Sequence, residues 1–322
     1  MKVVIVTTFE VGQDTGDTPG EFQFWVEREH LVEKLPFPGG IRDLRSTADH
    51  SVVGIVTGTT IGPAASSIMA LGLDPRFDLS HAYWLVNGIA GVDPNDASVG
   101  SAAWANFVVS DISREIDPRE APADWPYGIF AIGAKRPNRP PPSSGALADR
   151  TIAYPLNAKL AGWAYRLSKG VKLIDTPQMA AVRADWKGYP NAQRAPFVLQ
   201  GDSFASDYYW HGKILTQYAN DWVKLFTNRE GNFVMTNMED AGIAEALKRL
   251  EAMHRADFQR LMVLRTGSNY SMQRPGHTAL ESVTAPYVGY VPALEAAYRA
   301  GSPVVHELVS HWSKWERSIP QD

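Results

Sequence analysis

The sequence predicts an α/β fold, and three observations carry that prediction. Short β-branched runs, Val3 to Val6 and Val52 to Val56, have the pattern of strands buried on both faces. Amphipathic helical stretches lie between such runs, as where Leu156, Leu160, Trp163 and Leu167 fall on one face. Most strand-like runs end in a Gly-rich or polar segment that reads as a turn. Strands alternating with helices imply parallel pairing, with helices packed on the faces of the sheet.

The elements follow in order. Val3 to Val6 is the first strand, and the Gly-, Asp- and Thr-rich stretch after it, with Gly12, Asp14, Gly16, Asp17 and Gly20, reads as a loop. Val52 to Val56 leads into the turn Gly58 to Gly62 and a helix carrying Ala64, Ala65, Ile68, Met69 and Leu71. Tyr83 to Val86 is a third strand ending in Asn87 to Val92, and Trp104 to Val109 a fourth. Residues 114 to 148 break the rhythm with Pro118, Pro122, Pro126, Pro137 and the run Pro140 to Gly145; they read as an extended insertion loop, since the alternation resumes beyond them. Strands follow at Phe197 to Gln200, Phe233 to Thr236 and Leu261 to Leu264, with a helix over Ile243 to Met253. Two helices, Pro292 to Ala300 and Ser302 to Trp315, close the chain, the second begun by an N-cap Ser and a Pro at its first position. A single domain over residues 1–322 is expected.

Composition removes several classes of function. Lys+Arg 31 against Asp+Glu 35 gives a net charge of -4 with no basic cluster, so a nucleic-acid partner is not expected. No window reaches the roughly 18 apolar residues of a membrane span; the best, Ser51 to Leu73, is broken by Thr57, Thr59, Thr60, Pro63, Ser66 and Ser67. Met1 and Lys2 run directly into a strand, so no signal peptide is read, and the compartment stays open between cytoplasm and a periplasm reached by a leader since removed. Cys 0 excludes disulfides, thiolate metal sites and Cys nucleophiles together. His306, Glu307 and His311 miss the zinc-protease spacing because Ser310 stands where the second His belongs, and no metal is expected. Gly58 to Gly62 is neither a dinucleotide fingerprint nor a P-loop, and no nucleophile elbow occurs.

In open α/β sheets ligands bind beyond the carboxyl ends of strands. Six segments qualify there: Thr7 to Glu10, Gly58 to Gly62, Asn87 to Gly91, Gly201 to Phe204, Asn237 to Asp240 and Thr266 to Asn269. Their order resembles the nucleoside phosphorylase and nucleosidase superfamily. The closer resemblance is to the purine nucleoside permease family, carried by Phe9-Glu10, Asp14 to Asp17, Leu73 to Phe77, Asp124-Trp125-Pro126, Tyr209 to Gly212 and Arg265 to Tyr270. It covers nearly the whole chain and implies a twisted mixed central sheet flanked by helices, a purine nucleoside as ligand, and a homo-oligomer.

Residue by residue, the resemblance implies that Glu239 accepts hydrogen bonds from the ribose hydroxyls, a task for which a carboxylate offers enough lone pairs. Met238 then packs on the sugar, and Asn237, Asn87 and Gly88 are expected among the substrate-binding residues. Phe204 is expected against the purine face, with Ser203 or Asp202 near its edge; Tyr209 and Trp210 offer a second wall. Asn269 stands where a residue meets purine N7 as the bond breaks; its amide can donate but cannot act as a general acid, and it tilts the substrate toward inosine or guanosine.

On the nucleophile's side the chain departs from the phosphorylases, which place a Ser where Ile89 stands. Thr59, Thr60 and the backbone of Gly58 to Gly62 remain to hold an oxyanion or a water, with Arg28, Arg42 or Arg45 as guanidinium partners. Nucleosidases use a carboxylate to activate water, and Glu10 is the candidate by position, with Asp14 and Asp17 on the same loop. Cleavage by phosphate or by water therefore both stand, with no cofactor beyond inorganic phosphate as an optional co-substrate; capture of nucleosides for uptake, without cleavage, is the alternative.

Overall fold

The computed structural model describes residues 1–142 and 151–321. Its strands are β1 (Val3–Thr7), β2 (Glu33–Leu35), β3 (Leu44–Ser46), β4 (Val52–Val56), β5 (Tyr83–Val92), β6 (Ala102–Trp104) and β7 (Phe107–Ser110) in the first part of the chain. They continue as β8 (Ser113–Glu115), β9 (Ile129–Ala131), β10 (Ala153–Pro155), β11 (Val198–Gln200), β12 (Asp202–Ala205), β13 (Phe233–Asn237) and β14 (Leu261–Tyr270). The helices are α1 (Gln23–Arg28), α2 (Ile61–Leu73), α3 (Ala158–Ser168), α4 (Pro177–Ala184), α5 (Lys213–Phe226), α6 (Asp240–Ala252), α7 (Ala279–Val283), α8 (Tyr290–Ser310) and α9 (Trp312–Trp315).

All of these strands except β8 and β9 join one sheet, ordered β10-β7-β12-β13-β5-β1-β4-β3-β2, with β14 pairing β5 and β6, and β6 pairing β11. The expected mixed sheet is present. β1 lies parallel between β4 and β5, while β13 pairs antiparallel with the far end of β5 through Met235 and Thr236. The alternation of β1 explains its uninterrupted apolar run: Val4 and Val6 pack with the α2 and α6 side, Val3 and Ile5 with the α8 and α3 side, and all four are fully buried. Among the described residues no helix is long and apolar enough to cross a membrane.

Four expectations need correction. The strands read as ending at Val86 and Leu264 run on to Val92 and Tyr270, so Asn87 to Gly91 and Thr266 to Asn269 are strand, not turn. They pair with each other in parallel from Leu261 and Trp84 onward, and Gly88 and Gly91 serve close approach there. Likewise Asp202 to Phe204 belong to β12, with Gly201 just before it. Residues 114 to 148 are not a bare loop: β8 and β9 form a hairpin whose Ile129, Phe130 and Ala131 are buried on the aromatic cluster around Phe204. Residues 143–148 of that stretch lie outside the described residues. Finally, the two C-terminal helices are one. α8 continues through Ser302 and Pro303, with Gly301 against the Trp25 ring and Val304, Val305 and Leu308 in the core, so packing of the apolar face offsets the backbone hydrogen bond that Pro303 cannot make. Trp104 to Val109, expected as one strand, is two, β6 and β7.

Candidate active site

β5 and β14 run side by side, and the second halves of both strands, with the segments after β1, β12 and β13, enclose a cleft of about 170 Å³. Its floor is a buried charge cluster. Arg265 continues β14 directly after Leu264, and its guanidinium reaches Asp240 at 2.6 Å, Glu239 at 3.1 Å and Glu21 at 3.9 Å. All four residues are at most 5% exposed. Three carboxylates on one guanidinium leave an excess of negative charge away from water, which favours retention of a proton. Burial pushes Glu239 up to about 7; Glu21 and Asp240 add to the rise and Arg265 holds it down. Burial likewise raises Glu21 against the pull of Arg265.

Each carboxylate has its own anchoring. Glu21 accepts from the Thr8 amide and hydroxyl, both at 2.8 Å, and from the Ile89 amide at 2.7 Å. Two oxygens with about four acceptor sites then keep room for one more donor. Gly88 is what admits this arrangement, since a Cβ there would come within 2.3 Å of Glu21 Oε1 and 2.7 Å of Arg265 Nη1. Glu239 Oε2 faces Arg265, while its Oε1 has the Thr60 amide at 3.5 Å, the very edge of hydrogen bonding.

The other end of the cleft is neutral and aromatic. β14 carries a bulge between Gly267 and Asn269, so Ser268 and Asn269 both face the cleft although they are adjacent in sequence. Asn269 Nδ2 donates to the Tyr270 carbonyl at 2.9 Å and to the Tyr209 hydroxyl at 3.1 Å. A carbonyl can only accept, so the orientation of the amide is fixed. Asn269 Oδ1 accepts from the Tyr287 hydroxyl at 2.9 Å and from Ser268 Oγ at 3.2 Å. Both amide hydrogens are thus in use. The Tyr209 hydroxyl, having accepted one of them, keeps its own proton to donate, with no acceptor for it among the described residues.

The residues expected from sequence divide clearly. Glu239, Met238, Asn237, Asn269 and Thr59 line the cleft; Thr60 reaches it through its amide. Asn237 is spent on local structure: its Oδ1 accepts from the Glu239 and Asp240 amides and so starts α6, and its Nδ2 donates to Ser203. Glu10 is outside. Its carboxylate accepts from the amides of Val11, Gly20, Phe22 and Gln23, folding the Gly-rich loop onto the start of α1, and Glu21 stands in the cleft instead. Phe204 is fully buried among Trp210, Tyr218 and Phe233 and presents no face to the cleft, since strand alternation points it at α5. Asp202 braces the Asn106, Phe107 and Asn232 amides, and Ser203 donates to Asp240. Asn87 bonds Trp25 and the Val6 carbonyl, buried beneath the cleft.

The expected guanidinium partners of an oxyanion are also engaged elsewhere. Arg42 and Arg45 bind Asp14, and Arg28 binds Glu295. At the start of α2 the Ile61 amide is taken by Asp207 at 2.9 Å. Glu21, Arg265 and Tyr287 are the site residues that the sequence-derived set lacks, while Tyr209 and Trp210, expected as a second wall, line the cleft. A signal existed for Arg265, a charge prolonging an apolar strand, which requires a buried partner; Glu21 and Tyr287 sit in irregular segments where no period marks them.

The comparisons with known proteins agree with this architecture. The family model described as "Purine nucleoside permease (NUP)" matches residues 1–320. A purine nucleoside permease of Candida albicans is 30% identical over 98% of this chain and 77% of its own length. A probable purine nucleoside permease of Schizosaccharomyces pombe is 31% identical over 82% of this chain and 78% of its own. Among solved structures, the MTA/SAH nucleosidase of Streptococcus pneumoniae in complex with 8-aminoadenine is similar with a TM-score of 0.54 at 14% identity, covering 96% of this chain and 98% of that one. The native futalosine hydrolase of Helicobacter pylori is similar with a TM-score of 0.56 at 13% identity, covering 96% and 97%. At such identity these structures speak for the nucleosidase fold alone. On the match over nearly its whole length, the chain belongs to the purine nucleoside permease family.

Proposed function

We propose that this protein binds a purine nucleoside in the β5–β14 cleft and hydrolyses its N-glycosidic bond. The single observation that carries the reading is Glu21, a buried carboxylate held in the cleft beside Glu239 on a shared guanidinium. Glu239 accepts the ribose hydroxyls, and Glu21 takes a proton from a water molecule whose oxygen attacks the anomeric carbon. The bond from that carbon to the purine nitrogen breaks, and its electron pair passes to the purine. The Tyr209 hydroxyl donates to N7 as that charge grows, and the base leaves after protonation from solvent. The neighbouring fold family, in which the named solved structures are nucleosidases and a hydrolase, supports the same reading.

Water is favoured over phosphate as the nucleophile by three features already described: Ile89 in place of a hydroxyl residue, the start of α2 occupied by Asp207, and three arginines committed elsewhere. A dianion would also meet the negative excess around Arg265. The second reading, capture of nucleosides for uptake without cleavage, is favoured by the permease description of the family. Incubation with inosine, adenosine and guanosine, with and without phosphate, separates them. Release of free base independent of phosphate is expected; release that requires phosphate refutes the water mechanism, and tight binding without release establishes capture. The homo-oligomer belongs to the same proposal, with light scattering as its check.

A further inference from the structure

A second chamber, of about 260 Å³, adjoins the cleft and shares four of its lining residues: Tyr209, Ser268, Asn269 and Tyr287. These are the residues of the Asn269 hydrogen-bond cluster, so the cluster is the partition between the two spaces. Behind it one side is hydrocarbon, with Val99 and Tyr270 from the core and Val182, Trp186, Val283 and Val288 from the segments around α4 and α7, while His211, His277 and Glu281 supply polar edges. Trp186 packs against Tyr270 at 4.2 Å between ring centroids, so an aromatic pair backs this wall. Among the described residues, Arg274 at the chamber's edge is paired with Asp185 and His277 lies beside Glu281, so neither invites an anionic ligand. Neither space alone reaches the roughly 300 Å³ usual for a small-molecule site, whereas the two joined do. The partition is held by single contacts, Tyr209 and Tyr287 being 55% and 46% exposed and joined to Asn269 through their hydroxyls.

We propose that this chamber is a subsite for an apolar, preferably aromatic, substituent on C6 of the purine. The inference rests on the reading of the cleft as a purine nucleoside site, in which the N7 edge of the base faces Asn269 and Tyr209. C6 is the carbon next to that edge in the bicyclic ring, so a group attached there projects past the partition and into the chamber. Because the Asn269 amide is committed within the chain, nothing at this position demands a 6-oxo group. The ligand class is therefore 6-substituted purines and their nucleosides, not the inosine and guanosine that an unengaged Asn would favour.

The test compares adenine with 6-benzylaminopurine on the full chain by calorimetry, since free bases cannot be consumed by glycosidic cleavage. The benzyl compound is expected to bind at least about tenfold more tightly, equivalent to about 1.4 kcal/mol, which is less than full burial of an aromatic ring supplies. Ala285→Trp and Ser282→Phe fill the chamber from its exposed side; either is expected to erase the gain while leaving adenine within about twofold. Equal affinity of the two bases for the native chain, or equal losses in the filled variants, overturns the subsite while adenosine binding or cleavage still upholds the nucleoside site. Failure to bind bases and nucleosides alike overturns both.

Discussion

The two ends of the cleft are built on opposite principles. The end proposed for the ribose is charged, dry and over-determined, with Arg265, Asp240, Glu239 and Glu21 holding one another among buried backbone amides. The end proposed for the base is neutral and partly exposed, with Tyr209 and Tyr287 meeting Asn269 through single hydroxyl contacts. On the proposed reading, the difference teaches how one site can be strict about the sugar and tolerant of the base. A buried ion cluster loses several kcal/mol when one partner is removed, whereas a half-exposed hydrogen bond is worth about 1 kcal/mol.

Substitutions can break that contrast or sharpen it. Arg265→Met is expected to have the largest effect, because it strands three carboxylates in the interior: a loss of about 3–5 kcal/mol in denaturant unfolding, with poor yield of folded protein. Retention of full stability would mean that the ribose end is not an interlocked unit. Glu21→Gln is expected to lower turnover by about 10²- to 10⁴-fold with little change in KM, the pattern of a lost general base; a change confined to KM would assign Glu21 to binding only.

The pH response is next in size. Glu239 is raised in the folded state to about 7 from an ordinary 4.5, so the native protein holds this proton more tightly than the unfolded chain. Stability is therefore expected to rise as the pH falls through 7 toward 4.5, by on the order of 1–3 kcal/mol, while nucleoside binding weakens over the same window as the carboxylate that receives the ribose is neutralised. Glu239→Gln should flatten the stability profile; a profile unchanged by that substitution would locate the titrating group elsewhere. At the base end, Tyr209→Phe is expected to reduce turnover only about tenfold with unfolding unaffected. Phe204→Leu, behind the site, is the smallest: a stability loss of about 1 kcal/mol from the aromatic cluster and no selective change in base affinity, measurable by titration with adenine.

The same contrast explains what could be read from the residues alone. The ribose end was legible as far as Glu239 and Met238, because a strand followed by a helix start places those positions at a strand tip. Arg265 and Glu21 were not, since their meaning lies in each other: they are 244 positions apart in the chain, and only the pairing of β14 with β5 brings them together. Phe204 and Glu10 misled for a common reason. Each has the residue type that the chemistry wants, but one is turned inward by the two-residue period of β12 and the other is consumed by the loop's own amides. The extra residue at the β14 bulge, which turns Asn269 toward Tyr209, leaves no trace in hydrophobic pattern.

The cap on α2 has a consequence for ions in solution. Asp207 holds the Ile61 amide from the loop that also carries Tyr208, Tyr209 and Trp210. A tethered group of this kind presents itself at millimolar effective concentration. Any dissolved oxyanion seeking the same amide competes with a resident that diffusion never carries away, and winning the contest would lift an aromatic wall from the cleft.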